Sequence, residues 1–83
     1  MSDIDRVRRI LGDALQLGPR TAALTGSSRL LGDIPEFDSM AVVSVITMIE
    51  EEFGITVDDD ELSAEVFETL DSLTRFVAGK ANR

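Results

Sequence analysis

From Ser39 to Phe53 the chain runs without a glycine or a proline, and Val43, Ile46, Ile49 and Phe53 recur at intervals of three and four. That spacing puts side chains on one face of a helix and does not suit a strand, whose side chains repeat every second residue. Asp38 stands just ahead, with a side chain able to accept from first-turn amides, and Gly54 follows where glycine commonly ends a helix. Val42, Val43, Val45, Ile46 and Thr47 are β-branched and only middling helix formers. Length and caps decide for a helix over 39–53. Glu50, Glu51 and Glu52 close it with charges that oppose the helix dipole, at about 0.3–1 kcal/mol each. Something other than local helix stability is therefore expected to favour them.

Ile4, Val7, Leu11, Ala14 and Leu15 fall at helical spacing and predict a first helix over about 3–17, capped by Ser2 or Asp3 and stopped by Gly18-Pro19. Residues 18–38 hold Gly18, Pro19, Gly26, Ser27, Ser28, Gly32 and Pro35, too many breakers for a long regular element. Loops beyond about 12–15 residues are uncommon unless functional or pinned by their own side chains. Leu24, Leu30 and Leu31 are the candidate pins, with Leu31 expected to reach the core. After an extended link over Ile55-Thr56-Val57, one of Asp58, Asp59 and Asp60 is placed to cap a short third helix over 60–67 holding Leu62, Val66 and Phe67. Thr69 caps a fourth helix over 70–80 with the stripe Leu70, Leu73, Phe76 and Val77, and Gly79 opens a frayed polar tail. The expectation is all-α: a small four-helix bundle, three longer helices and one short, forming a single domain over 1–83 with a long loop between helices one and two.

A chain of 83 residues supports one modest core. It holds no cysteine and no histidine, which removes disulfides, thiol nucleophiles, imidazole ligands and Ser-His-Asp chemistry within the chain. No carboxylate pair stands in a recognisable acid-base arrangement and no glycine loop cradles phosphate, so no enzyme activity is expected. The formal charge is -8, and the acids collect in the second part of the chain, which argues against nucleic acid as a partner. No apolar run approaches the roughly 20 residues that span a bilayer, and the polar start lacks the apolar stretch of a signal peptide. A soluble, cytoplasmic monomer without stable membrane insertion is expected. Asp58-Asp59-Asp60-Glu61 lacks the glycine and closing glutamate of an EF-hand; helix capping is its first reading, and a weak exposed divalent-ion site the alternative.

Within Gly32-Asp33-Ile34-Pro35-Glu36-Phe37-Asp38-Ser39-Met40 a proline turn delivers a serine to the first turn of an amphipathic helix. A helix start offers unpaired amide hydrogens and the positive dipole end, both favourable to a phosphodiester on that hydroxyl. An Asp-Ser pair there is also an ordinary cap. The surroundings add a Leu-Leu-Gly stretch in a long loop, Ile-Glu-Glu-Glu-Phe-Gly-Ile and a short acidic segment before the final helix. Over nearly its whole length the chain resembles the acyl carrier proteins, with methionine in place of the usual leucine of Asp-Ser-Leu.

The resemblance implies a carrier without turnover of its own. Ser39 would receive 4'-phosphopantetheine from coenzyme A by a phosphopantetheinyl transferase, and Asp38 would help hold that enzyme's magnesium ion; no metal belongs to the chain itself. Met40, Ala41, Ser44, Thr47, Met48 and Glu51 would form the face of helix two offered to partners, namely acyl-activating, acyltransferase or synthase enzymes. Ala41 and Ser44 depart from the more acidic face of typical fatty-acid carriers. Val43, Ile46, Phe53, Ile55, Leu62, Phe67, Leu70 and Leu73 would line the interior, where relatives sequester an acyl chain; ordinary core packing accounts for them equally well. The reading is a free-standing carrier of acyl thioesters for fatty-acid, polyketide or related specialised biosynthesis. An aminoacyl or peptidyl carrier working with an adenylating enzyme, and an unmodified helical interaction module, stand as alternatives.

Overall fold

The computed structural model describes residues 2–32, 34, 35 and 37–81; Met1, Asp33, Glu36, Asn82 and Arg83 lie outside the described residues. Helix α1 spans Asp3–Leu15, and the Ser2 hydroxyl caps it by accepting from the Asp5 amide. Arg8 and the Ser2 hydroxyl, both bonded to Asp5, hold that carboxyl below its ordinary pKa. The helix stops short of residue 17 because Gln16 turns left-handed (φ 54°), and the Leu17 amide returns 3.0 Å to the Gly12 carbonyl. Leu17 is thereby buried.

The long connection is more ordered than its breakers suggest. Gly18–Ala23 winds as a 3-10 helix with proline in its first turn, where a missing amide hydrogen costs nothing. It sits tightly on α1: a Cβ at Gly12 would lie 2.3 Å from Thr21 Oγ1, so only glycine leaves room for this approach. Farther on, Gly26 to Leu31 run alongside the start of the last helix. The Leu70 amide donates to the Ser28 carbonyl (3.1 Å), the Asp71 amide to Gly26 (2.8 Å) and the Leu30 amide to Glu68 (3.1 Å). Arg29 and Thr69 form an isolated antiparallel bridge between them. Extended chains point successive side chains to opposite sides, so only one of Leu30 and Leu31 can face inward. It is Leu30, with no exposure; Leu31, expected to reach the core, is 39% exposed.

Helix α2 spans Ser39–Phe53 and ends at Gly54, which is left-handed (φ 65°). The expected helix over 60–67 is corrected to a 3-10 turn at Asp59–Glu61 followed by turns. Its backbone is engaged elsewhere: the Phe67 and Glu68 carbonyls accept from Leu31 and Leu30, and the Val66 carbonyl accepts from Ser72 Oγ. The amides of the stretch reach back three residues, Glu61 to Asp58, Leu62 to Asp59 and Val66 to Ser63, in place of the four-residue steps of an α-helix. Helix α3, the fourth in the sequence reading, spans Leu70–Ala81 and runs through Gly79, so no fraying begins there. Thr69 and Ser72 cap its start reciprocally, each hydroxyl accepting from the other's amide at 3.0 Å. The result is an all-α bundle of three longer helices and a short helical piece between α2 and α3, with α1 packed against both others.

On α2, too, a residue expected in the core lies outside it. Ile49 is fully buried, and at about 100° per residue Val45 lies roughly 40° from it around the helix, whereas Val43 lies roughly 120° away. Val45 is accordingly buried and Val43 is 65% exposed, so Val43 does not line the interior. The acids that close α2 also find their reason. Arg6 of α1 reaches the Glu52 carboxylate (3.1 Å) and carbonyl (3.0 Å) and lies 4.1 Å over the Phe53 ring. The Glu50 carboxylate accepts from the Val57 amide at 2.8 Å. Two of the three carboxylates thus tie down the chain around the helix end.

Leu30→Ala empties a fully enclosed site and is expected to cost about 2–5 kcal/mol. Leu31→Ala, on the exposed side, should stay within about 0.5 kcal/mol. Urea unfolding of the two variants beside wild type measures the contrast.

Candidate functional site

Three buried side chains bring the end of the long connection to the surface in a fixed place. Leu30 is held by the backbone ladder, Ile34 is buried, and the Phe37 amide closes a turn by donating 3.0 Å to the Ile34 carbonyl. Phe37 is buried too, its ring centroid 5.6 Å from that of Phe67 at a tilt of 56°. The next two residues, Asp38 and Ser39, are exposed. The chain therefore steps from core to solvent within one residue.

Asp38 is the N-cap of α2, in extended conformation, with Oδ1 accepting from the Ala41 amide at 2.9 Å and its carbonyl accepting from the Val42 amide at 3.0 Å. Ser39 is the first helical residue. Among the described residues nothing bonds its hydroxyl, and nothing accepts from the Ser39 and Met40 amides. An exposed hydroxyl beside two unclaimed donors at the positive end of a helix dipole fits a phosphate ester.

Along the outside of α2, Met40 is 82% exposed and Val43 65%, with Ser44, Thr47 and Glu51 exposed beyond them. They share one strip of the helix. Ala41 and Met48, expected on that strip, are half-buried and pack against the core. Met48 and Glu51 also border an open groove of about 290 Å³ between α1 and α2, shared with Arg6, Arg9, Ile10, Asp13 and Glu52. Of the expected interior set, Ile46, Phe67, Leu70 and Leu73 are buried, while Phe53, Ile55 and Leu62 are half-buried against the core. Val43 moves to the outer strip.

In the acidic stretch, the Glu61 side chain accepts from the Asp58 amide at 2.9 Å and pairs with Lys80 at 2.6 Å. Among the described residues no three carboxylates converge on a point where a metal ion could sit. No described helix is long and apolar enough to cross a membrane. Sequence reasoning did not single out Phe37, Ile34 or Val45 as core. Phe37 carried a signal nonetheless: a large aromatic directly before a capping Asp occupies the position from which side chains fix the entry to a helix.

The family model described as the phosphopantetheine attachment site matches residues 5–77. Among solved structures, the chain is similar to a holo acyl carrier protein from Nitrosomonas europaea, determined in solution by NMR. The two are 59% identical with a TM-score of 0.91, and the match covers 100% of each chain. This chain belongs to the acyl carrier proteins of the phosphopantetheine attachment family. It is a carrier and not an enzyme, and its cofactor is a covalently attached phosphopantetheine.

Asp38→Ala removes the cap and is expected to cost about 0.5–2 kcal/mol, with Asp38→Asn keeping most of the stability. Thermal unfolding followed by circular dichroism should place the alanine variant clearly below the asparagine variant.

Proposed function

We propose that Ser39 is the residue that carries the arm and that the protein is a free-standing acyl carrier for fatty-acid, polyketide or related specialised biosynthesis. The observation that carries this reading is the Ser39 hydroxyl, exposed and without a described partner on the first turn of α2. The arm supplies the thiol that holds an acyl group as a thioester, chemistry a chain without cysteine cannot supply itself. Attachment joins the Ser39 oxygen to phosphorus while a pyrophosphate bond of coenzyme A breaks. The serine proton is lost, and adenosine 3',5'-bisphosphate leaves. Asp38 spends Oδ1 on the Ala41 amide and keeps its second oxygen for the transferase's magnesium ion.

The strip Met40, Val43, Ser44, Thr47 and Glu51 is the surface offered to the transferase and to acyl-activating, acyltransferase or synthase enzymes. Met40 and Val43 supply adaptable apolar contact there, and Glu51 supplies charge. The protein works as a monomer in the cytoplasm, a reading the charge of -8 supports by keeping copies of the chain apart.

Incubation with a phosphopantetheinyl transferase, magnesium and coenzyme A should add one phosphopantetheine mass to wild type and none to Ser39→Ala. Intact-protein mass spectrometry reads both. Addition to the alanine variant, or none to wild type with several transferases, overturns the assignment.

A further inference from the structure

We infer that Phe37 is a positioning residue for the modification of Ser39. Held against Phe67, it keeps the first turn of α2 in the conformation a transferase recognises. The inference rests on Ser39 being the modified residue.

Phe37 lies in the core two residues before an exposed serine, and its ring meets Phe67, which belongs to the segment leading into α3. That segment is itself fixed by the ladder, through the Leu31 amide on the Phe67 carbonyl and the Leu30 amide on the Glu68 carbonyl. The first turn of α2 has few ties of its own. Ser39 and Met40 are exposed, Asp38 holds the Ala41 and Val42 amides, and Ala41 and Val42 are only half-buried. Fully buried contacts of α2 begin at Val45, well past the serine. Upstream, among the described residues, the Phe37 amide reaches back to Ile34. Among the described residues Phe37 is therefore the buried side chain closest along the chain to the modified serine, and Phe67 is the ring it is anchored on.

Helix ends fray when nothing holds them. Without the Phe37 ring, the turn holding Asp38 and Ser39 opens for part of the time, and only the closed fraction presents serine and carboxylate together. An enzyme that selects the closed form then meets a lower effective carrier concentration. KM rises as the inverse of that fraction, while kcat, set after binding, stays the same.

The test is a graded series, wild type, Phe37→Leu and Phe37→Ala, with Val7→Ala as a control that empties a buried site at the start of α1, where Arg6 meets the end of α2 away from Ser39. Each is assayed with one transferase, magnesium and coenzyme A at a temperature where circular dichroism shows the variant folded. Expected are a KM rising in the order Phe, Leu, Ala, to about tenfold for alanine, a kcat within twofold throughout, and an unchanged KM for Val7→Ala. Amide hydrogen exchange at Ala41 and Val42 should quicken in the same order relative to Ile49. Should the alanine variant fail to fold, the leucine variant alone must show both changes. A flat KM across the series, a fall in kcat instead, or an equal rise in Val7→Ala overturns the inference. Failure of wild type to be modified, or modification that survives Ser39→Ala, overturns the assignment of Ser39 itself and is distinguishable from all of these.

Discussion

The bundle depends on a short run of backbone pairing between the long connection and the chain that enters and begins α3. Residues 26–31 and 67–71 exchange amide and carbonyl groups across the foot of α3, and Leu30 is locked inward by that pairing. Closing a long loop costs entropy that grows slowly with length, so a few well-buried contacts are enough to hold it. Everything downstream inherits its position from this pairing: Ile34 and Phe37 enter the core, and α2 begins at one definite place on the surface.

Charge works at the opposite end of α2 in a comparable way. Three consecutive glutamates at a helix C-terminus conflict with the helix dipole. The conflict is resolved by tertiary contacts, since Arg6 neutralises Glu52 and meets its carbonyl while Glu50 receives the Val57 amide. Lys80 does the same for Glu61, tying the last turn of α3 to the acidic stretch. The side chains that make the chain so acidic are in part structural clasps rather than idle surface.

Much of this was legible in the residues. The ends of α2 are written by Asp38 and Gly54, and the all-helical class follows from apolar spacing along each segment. The serine on a helix start could be read from the Asp-Ser pair behind a proline turn. What stayed hidden depends on partners far away in the chain. Leu30 and Leu31 have the same side chain, and only the pairing register with Phe67 and Glu68 decides which turns inward. Residues 60–67 have helical spacing, but their amides reach back three residues rather than four, and the Val66 and Phe67 carbonyls at their end pair with Ser72 and Leu31. The choice between Val43 and Val45 was within reach of arithmetic. Steps of three fall about 60° short of a full turn, so a stripe built on 43, 46 and 49 drifts around the helix.

The outer strip of α2 ends up with a sparse electrostatic character. With Glu50 and Glu52 bound to the fold, Glu51 is the one carboxylate that shares a strip with Met40 and Val43. The strip's own contribution to attraction beyond the Debye length, about 8 Å at physiological ionic strength, is consequently small. On the reading proposed for this strip, a protein docking here would be selected at contact, by the fit of its own apolar surface to a methionine and a valine. Such recognition tolerates changes in salt that would disrupt an association guided by a dense field of acids.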